Sequence, residues 1–509
     1  MMRVCLGDIV LILFVSFLLG PSARAECPDW TPPAGLGGAV DAGVDLPTVE
    51  LWKAYRDERE HDHFLEALGP EEARARYRIE SSQIESGCVT TAQLIDLGRA
   101  LFLREFTPEE GLGEGRRDRP LLRRFQRQGR GGPDANHCAS CHWKGGFAGG
   151  GDRVDNAFLD GDGDRLGSHA ERNPIALWGS GWIELLGQQM TRELQSQAED
   201  IKERGQTEGS ATGTLEANGV SFGTLRATMD EVGEVVLDFS QLEGVDPDFV
   251  VRPFGWNGRY ATLRGMTLWS YHMHLGLQAT EWVTRSPEEI AFGPGRLEDP
   301  DEDGVEDELT SAQITAVVAF LSTIDSPVVE IPTTGGYRPD PSLPTMEAKA
   351  APEYTDRWSA GLTTFEEIGC ASCHQPRMTL HSSEYRLTDE LSLDLATDSA
   401  EPRPSIRESS GYTVALFSDL RRHEMGPLEG ELDRSSEFIT RPLWGLRNSA
   451  PYMHDGSAAT FDAAIAMHGR EGSEALPAAQ AFAALPEKRR ADLRVFLNSL
   501  GRAPTIRIR

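Results

Sequence analysis

Two identical pentapeptides constrain this chain more than any other feature: Cys138-Ala139-Ser140-Cys141-His142 and Cys370-Ala371-Ser372-Cys373-His374. Two thiols three positions apart can add to the two vinyl groups of one haem, and the histidine that follows reaches the iron as proximal ligand. A thioredoxin-like redox pair or a zinc site uses paired cysteines too, but both leave the abutting histidine unexplained, here twice. The chain therefore reads as a carrier of two covalently bound haem c groups, with Cys138, Cys141, Cys370 and Cys373 as attachment points and His142 and His374 on the irons. The motifs lie far apart, each near the start of its own unit, as if one module had been used twice and had diverged. Function then turns on the sixth position of each iron. A filled position suits electron transfer, and an open one binds peroxide or dioxygen.

At 509 residues the chain is too long for a single core. Its formal charge of −30 repels phosphate backbones, so nucleic acid is not expected as a partner. Residues 1–25 read as an export signal: Arg3, an apolar run from Ile9 to Leu19, and the A-x-A site Ala23-Arg24-Ala25. That run is too short to span a bilayer, and no later segment has the length for a transmembrane anchor. The expected location is periplasmic or secreted. In an oxidising compartment Cys27 and Cys88, the pair outside the haem motifs and the signal, can form a disulfide or remain two thiols.

Along the chain, residues 26–85 form an N-terminal extension, in which His61 and His63 read as surface residues of a charged helical stretch. Residues 86–330 form the first haem domain. It opens on an amphipathic helix over Thr90 to Phe106, and Leu309 to Ile324 is an apolar helix. Within this domain, residues 190–250 run from a polar helix (Gln195 to Gly209) into strand-like alternation (Val220 to Phe239), a small β insertion. Residues 331–350 are the linker, and 351–509 the second haem domain, opening on a short helix from Ser359 to Ile368. The fold class is mainly α: two cytochrome c-type haem domains, with a β insertion in the first.

Two further groups of residues carry chemistry. Glu184, after an aromatic run near the first motif, is either an acid at haem 1 or a solvated helix residue. Asp299, Asp301, Asp303 and Asp307 lie in a D-x-D-x-D-G pattern suited to calcium. Thr310 stands where such a loop has a bidentate acid, so the same residues also read as an acidic turn capping the next helix. Asp160, Asp162 and Asp164 form a weaker acidic cluster.

The segment Arg441-Pro-Leu-Trp-Gly-Leu-Arg-Asn-Ser-Ala-Pro-Tyr-Met-His-Asp-Gly-Ser457, followed by Thr460-Phe-Asp-Ala-Ala-Ile465, resembles the C-terminal haem domain of bacterial di-haem cytochrome c peroxidases. Leu416 to Gly426 and Pro253 to Gly258 look more like the related di-haem oxidoreductases, which include peroxidase-like and thiol-oxidoreductase-like members. The resemblance spans roughly residues 90–505. It implies that His468 stands where the peroxidases have a methionine ligand, giving haem 2 two histidines, with Met467 as the rival. It implies that Trp256 is the relay between haems and that His454 supports the haem surroundings. It also implies that the helix Leu263 to Glu281 covers haem 1, with His274 where the family has an acid/base glutamate. His272 is the second candidate, since residues two apart on an α-helix point about 200° from each other.

The implied activity is a peroxidase of the EC 1.11.1 class. It would reduce hydrogen peroxide at haem 1 with electrons relayed from haem 2, supplied by a donor protein such as a small cytochrome or a cupredoxin. The alternatives are a haem-dependent dioxygenase related to the rubber-cleaving oxygenases and a non-enzymatic electron-transfer cytochrome.

Overall fold

The computed structural model describes residues 75, 77–113, 123–126, 129–130, 135–152, 157–159, 169–283, 303–325, 352–399, 405–409, 411–427 and 436–501. The signal, most of the N-terminal extension, the linker 331–350, His61, His63, Asp160, Asp162, Asp164, Asp299 and Asp301 lie outside them. Among the described residues no helix is long and apolar enough to cross a membrane.

Each C-A-S-C-H stands between an entering and a returning helix. In the first unit these are α1 (Thr91–Leu103) and α4 (Ser311–Thr323). In the second they are α5 (Pro352–Glu367) and α8 (Glu487–Ser499). The two crossings are built alike. A Cβ on Gly98 of α1 would stand 1.9 Å from the Ala316 carbonyl oxygen of α4, and one on Gly361 of α5 would stand 2.2 Å from the Asp492 carbonyl oxygen of α8. Only glycine lets the backbones approach so closely. One helical turn further on, each of the four helices contributes a phenylalanine. Phe102 and Phe320 lie 5.6 Å apart, and Phe365 and Phe496 lie 5.2 Å apart, by ring centroids.

The first unit carries the expected β insertion. Helix α2 (Ser180–Glu208) runs the length of it and packs on a three-stranded antiparallel meander. In chain order within this unit, β1 (Arg123–Gln126), β2 (Gly129–Arg130), β3 (Ala157–Leu159) and β4 (His169–Glu171) make a small sheet in the order β2-β1-β3-β4. The meander is β5 (Ser210–Ala217), β6 (Val220–Met229) and β7 (Val235–Asp238). Ala217 pairs with Val220 across Asn218-Gly219, both at positive φ, the two-residue turn that matches strand twist. That turn docks on the second unit. Asn218 exchanges hydrogen bonds with the Thr379 backbone, donating at 3.0 Å and accepting at 2.9 Å. Gln189 of α2 makes a similar pair with Thr379 and His381. The insertion thus fastens the two units together five to seven residues after the second C-A-S-C-H.

In the second unit, small sheets stand where the first has its insertion. β8 (Met378–Leu380), β11 (Ser405–Glu408) and β12 (Gly411–Val414) form one, and β9 (Glu384–Arg386) pairs with β10 (Ser392–Asp394). β13 (Arg422–Glu424) pairs with β14 (Glu437–Ile439). Helices α6 (Phe461–Met467) and α7 (Leu476–Ala483) precede α8.

One element departs from the sequence reading. Leu263 to Glu281 is not a single helix. Helix α3 (Leu263–Ser270) widens into a π-helical turn, Tyr271–Leu275, and stops at Gly276. Gly276 has φ of 78°, and a Cβ there would stand 2.2 Å from the Gly113 carbonyl oxygen. Tyr271, buried in the turn, donates its hydroxyl to the Leu101 carbonyl at 3.1 Å, which ties the turn to the end of α1. Such turns recur at functional sites, where they re-aim side chains.

Candidate functional site: two cavities that share a wall

Two cavities lie inside the protein, of about 830 Å³ and about 530 Å³. The larger is lined by Cys138, Cys141 and His142, the smaller by Cys370, Cys373 and His374. All four thiols are free, and burial raises Cys138 to about 12 and Cys370 to about 11. Cys88 is disulfide-bonded, and Cys27 lies outside the described residues.

The proximal sides are near copies. His142 Nδ1 donates to the Gly149 carbonyl at 3.3 Å, and His374 Nδ1 donates to the Phe417 carbonyl at 3.1 Å. A carbonyl can only accept, so each ring keeps its proton on Nδ1 and has Nε2 free for a metal. Three phenylalanines cage each ring. Phe102 lies 6.3 Å from His142 and packs on Phe147 and Phe320. Phe365 lies 6.4 Å from His374 and packs on Phe417 and Phe496. Phe147–Phe320 and Phe417–Phe496 close the cages at 5.8 and 5.7 Å. Burial, as the largest cause, lowers both histidines to about 4, keeping them neutral as iron ligands must be. Paired thiols, fixed neutral imidazoles and a cavity at each motif fit haem c in both places.

The opposite sides differ. In the smaller cavity His468 ends α6 and donates Nδ1 to the Ala464 carbonyl at 2.7 Å, so its Nε2 is also available. It is close enough to His374 to lower that residue's pKa electrostatically. Met467 lines the same cavity, but its sulfur accepts a hydrogen bond from Ser457 at 3.4 Å. In the larger cavity His274 of the π turn bears on His142 in the same electrostatic sense. Its ring is held edge-to-face against Trp269 at 5.2 Å. His272 is buried and does not line the cavity, so the structure separates the two candidates that the sequence left side by side.

Glu184 departs from its reading as a solvated residue. It is buried rather than solvated, and it does not line the larger cavity. It accepts hydrogen bonds from the Tyr385 hydroxyl at 2.6 Å, the Leu263 amide at 2.9 Å and the Gln188 amide at 3.0 Å. Burial raises its pKa against these hydrogen bonds. It thus ties α2, the start of α3 and the second unit together. Of the acidic loop, Asp303 and Asp307 are described. Asp303 accepts from the Val305 amide, and the Asp307 carbonyl accepts from Arg78. Thr310 caps α4 in a reciprocal pair with Gln313. Among the described residues the one cluster with metal-ligand geometry is Cys373, Asp419 and His423, which includes none of these acids.

Trp256, Asn173 and Arg441 line both cavities and so stand in the wall between them. Trp256 donates its indole N–H to the Asn173 carbonyl at 2.9 Å, and its ring meets His454 edge-to-face at 6.3 Å. Asn173 donates to the Pro451 and Met453 carbonyls, so the 451–454 segment of the motif clasps the first unit beside Trp256.

The sequence reading gave no role to Asp419, His423 and Glu474, although Leu416–Gly426 stood out as a motif. His423 lies at the edge of the smaller cavity between Asp419 (2.7 Å) and Glu474 (2.8 Å), one on each ring nitrogen. Burial opposes charge there, but hydrogen bonds to Asp419 and the Cys373 thiol push His423 up to about 11. The Cys373 contribution ends once that sulfur is a thioether; the two carboxylates remain.

Residues 348–500 match the family described as "Di-haem oxidoreductase, putative peroxidase". The match covers the second unit, including Cys370–His374, Arg441–Ser457 and His468. A solved structure described as a MauG-like protein associated with microbial copper homeostasis is similar at 19% identity, over 48% of this chain and 68% of its own, with a TM-score of 0.23. No curated protein matches the chain.

Proposed function

We propose that this chain, whose residues 348–500 match the di-haem oxidoreductase family, is an exported c-type di-haem peroxidase whose reaction site is the cavity of His142. The observation that carries the reading is the inequality of two cavities that take the same group. The one at His142 is larger by more than half, and its distal wall presents His274. When bound, the haems supply electron storage and an iron at which hydrogen peroxide is reduced to water. Cys138 and Cys141, and Cys370 and Cys373, hold them as thioethers. His142 and His374 would ligate through Nε2, with orientation set by the Gly149 and Phe417 carbonyls. His468 would close the smaller site, and two imidazoles would favour the ferric state more than an imidazole and a thioether do, which suits an electron-entry centre of low potential.

With the group in place, His274 would be the acid/base of this cavity, able to take up a proton from the substrate and give it back to the leaving water. Trp269 fixes its ring against rotation. Trp256, in the shared wall, is the electron path between the cavities. Balance requires two electrons and two protons per peroxide. The electrons come from an external protein donor such as a small cytochrome or a cupredoxin.

The rival is an electron carrier in which His274 would ligate as His468 would, since each lines the cavity of its own proximal histidine. Mixing the purified two-haem protein with peroxide and a reduced donor cytochrome separates the two. Donor oxidation at two equivalents per peroxide supports the peroxidase. Failure of peroxide to change any absorption band, whether the protein is oxidised or half-reduced, leaves only the carrier.

A further inference from the structure

Arg441 begins the motif that dominates the second unit, yet neither ligation nor proton transfer uses it. It lines both cavities, with its guanidinium carbon 5.8 Å from the centre of the Trp256 ring. Its hydrogen bond is a long one, 3.4 Å to the Pro253 carbonyl. Two other arginines on the larger cavity are neutralised, Arg252 by Asp246 and Asp248 and Arg422 by Asp246, while Arg259 lies over the Tyr260 and Trp269 rings. Among the described residues no carboxylate lies within ion-pair distance of Arg441. Burial alone lowers it, to about 10, with no acid opposing. A guanidinium stays charged at that value, and a desolvated charge without a counter-ion is costly. Arg441 is half-buried at the wall of both cavities, so an anion that enters with their occupant can pair with it. Haem brings carboxylate side chains, and a planar fork of N–H donors is the group best suited to them.

We propose that Arg441 is the common counter-ion of the two haems, its guanidinium binding a haem carboxylate from each cavity across the wall that holds Trp256. The assignment rests on the di-haem reading above. It ties the two sites electrostatically: a cation at the wall favours the reduced, more negative state of either haem, so one residue raises both potentials. The carboxylates it binds also offset its charge beside Trp256.

The test is a spectroelectrochemical titration of the full-length holoprotein beside Arg441→Gln and Arg441→Lys, with haem counted per chain by pyridine haemochrome. The expected result is two haems in all three proteins, both midpoints shifted negative in Arg441→Gln, and a smaller shift in Arg441→Lys. Two bound haems with either midpoint unmoved in Arg441→Gln would overturn the shared role, and so would a lysine variant that shifts as far as the glutamine one. Should Arg441→Gln fail to fold, resonance Raman decides on Arg441→Lys alone. The carboxylate bending modes of both haems shift if Arg441 binds them; unshifted modes in either haem contradict the proposal. Fewer than two haems in the unaltered protein would bring down the di-haem reading and this assignment with it, an outcome distinct from unmoved potentials.

Discussion

The two C-A-S-C-H units agree closely on one side of their cavities and diverge on the other. On the proximal side a glycine crossing, three phenylalanines and a carbonyl-bound Nδ1 recur with ring separations within about half an ångström of each other. On the distal side one unit offers the end of a short α-helix, and the other a π-helical turn over a larger space. Holding a haem and tuning its proximal ligand is one packing problem with one solution, used twice. On the function proposed above, what the iron then does is set by a few residues on elements of different geometry. The difference teaches where to look for function in such a chain: away from the motif that identifies it.

The comparison can be broken at its base first. Cys138→Ala/Cys141→Ala and Cys370→Ala/Cys373→Ala should each halve the covalent haem content, read by haemochrome after denaturation. A double variant that keeps both haems would show that its motif is not an attachment site. The next effect sharpens the distal contrast. His274→Gln should lower peroxide turnover by about 10²–10⁴-fold, the usual worth of a positioned acid/base group, and His272→Gln should leave it within a few-fold. Equal losses would mean that the cavity lining does not discriminate between them. Third, Phe102→Ala and Phe365→Ala should destabilise their units by about 3–5 kcal/mol each, since each empties the same cage position. Strongly unequal costs in denaturant melts of the holoprotein would deny that the cages are equivalent.

The smallest effect concerns the joint between units. Glu184 has its pKa raised by burial, so the native state holds its proton more tightly than the unfolded chain does. Its contribution is full below the ordinary glutamate value and is lost as pH rises through the raised one. Glu184→Gln should therefore flatten the fall in stability across that window. A variant with the same slope as the parent would show that Glu184 is ionised in the fold.

Much of this was legible beforehand because it is local. The spacing of Cys138–His142 and Cys370–His374 puts two thiols and an imidazole on the lining of one cavity each. Asn218-Gly219 flanked by alternating residues dictates the hairpin. Even the cages had a visible sign, since Gly98 and Gly361 each precede a phenylalanine by four, as do Ala316 and Asp492. The rest depends on distant partners. The π turn is held by Gly113 and Leu101, remote in sequence from Tyr271 and Gly276. Glu184 looked like an acid near a haem because nothing local reveals Tyr385, 201 residues on. Asp419 and His423 stand in one motif, but the cluster is completed by Glu474 from outside it.

The central claim is that the His142 site is open and the His374 site closed. Cyanide titration followed by electron paramagnetic resonance tests it directly, in the oxidised and half-reduced protein, with His468→Ala alongside. One haem signal should convert in the parent protein and both in His468→Ala. Conversion of both signals in the parent, or of neither in either redox state, would contradict it.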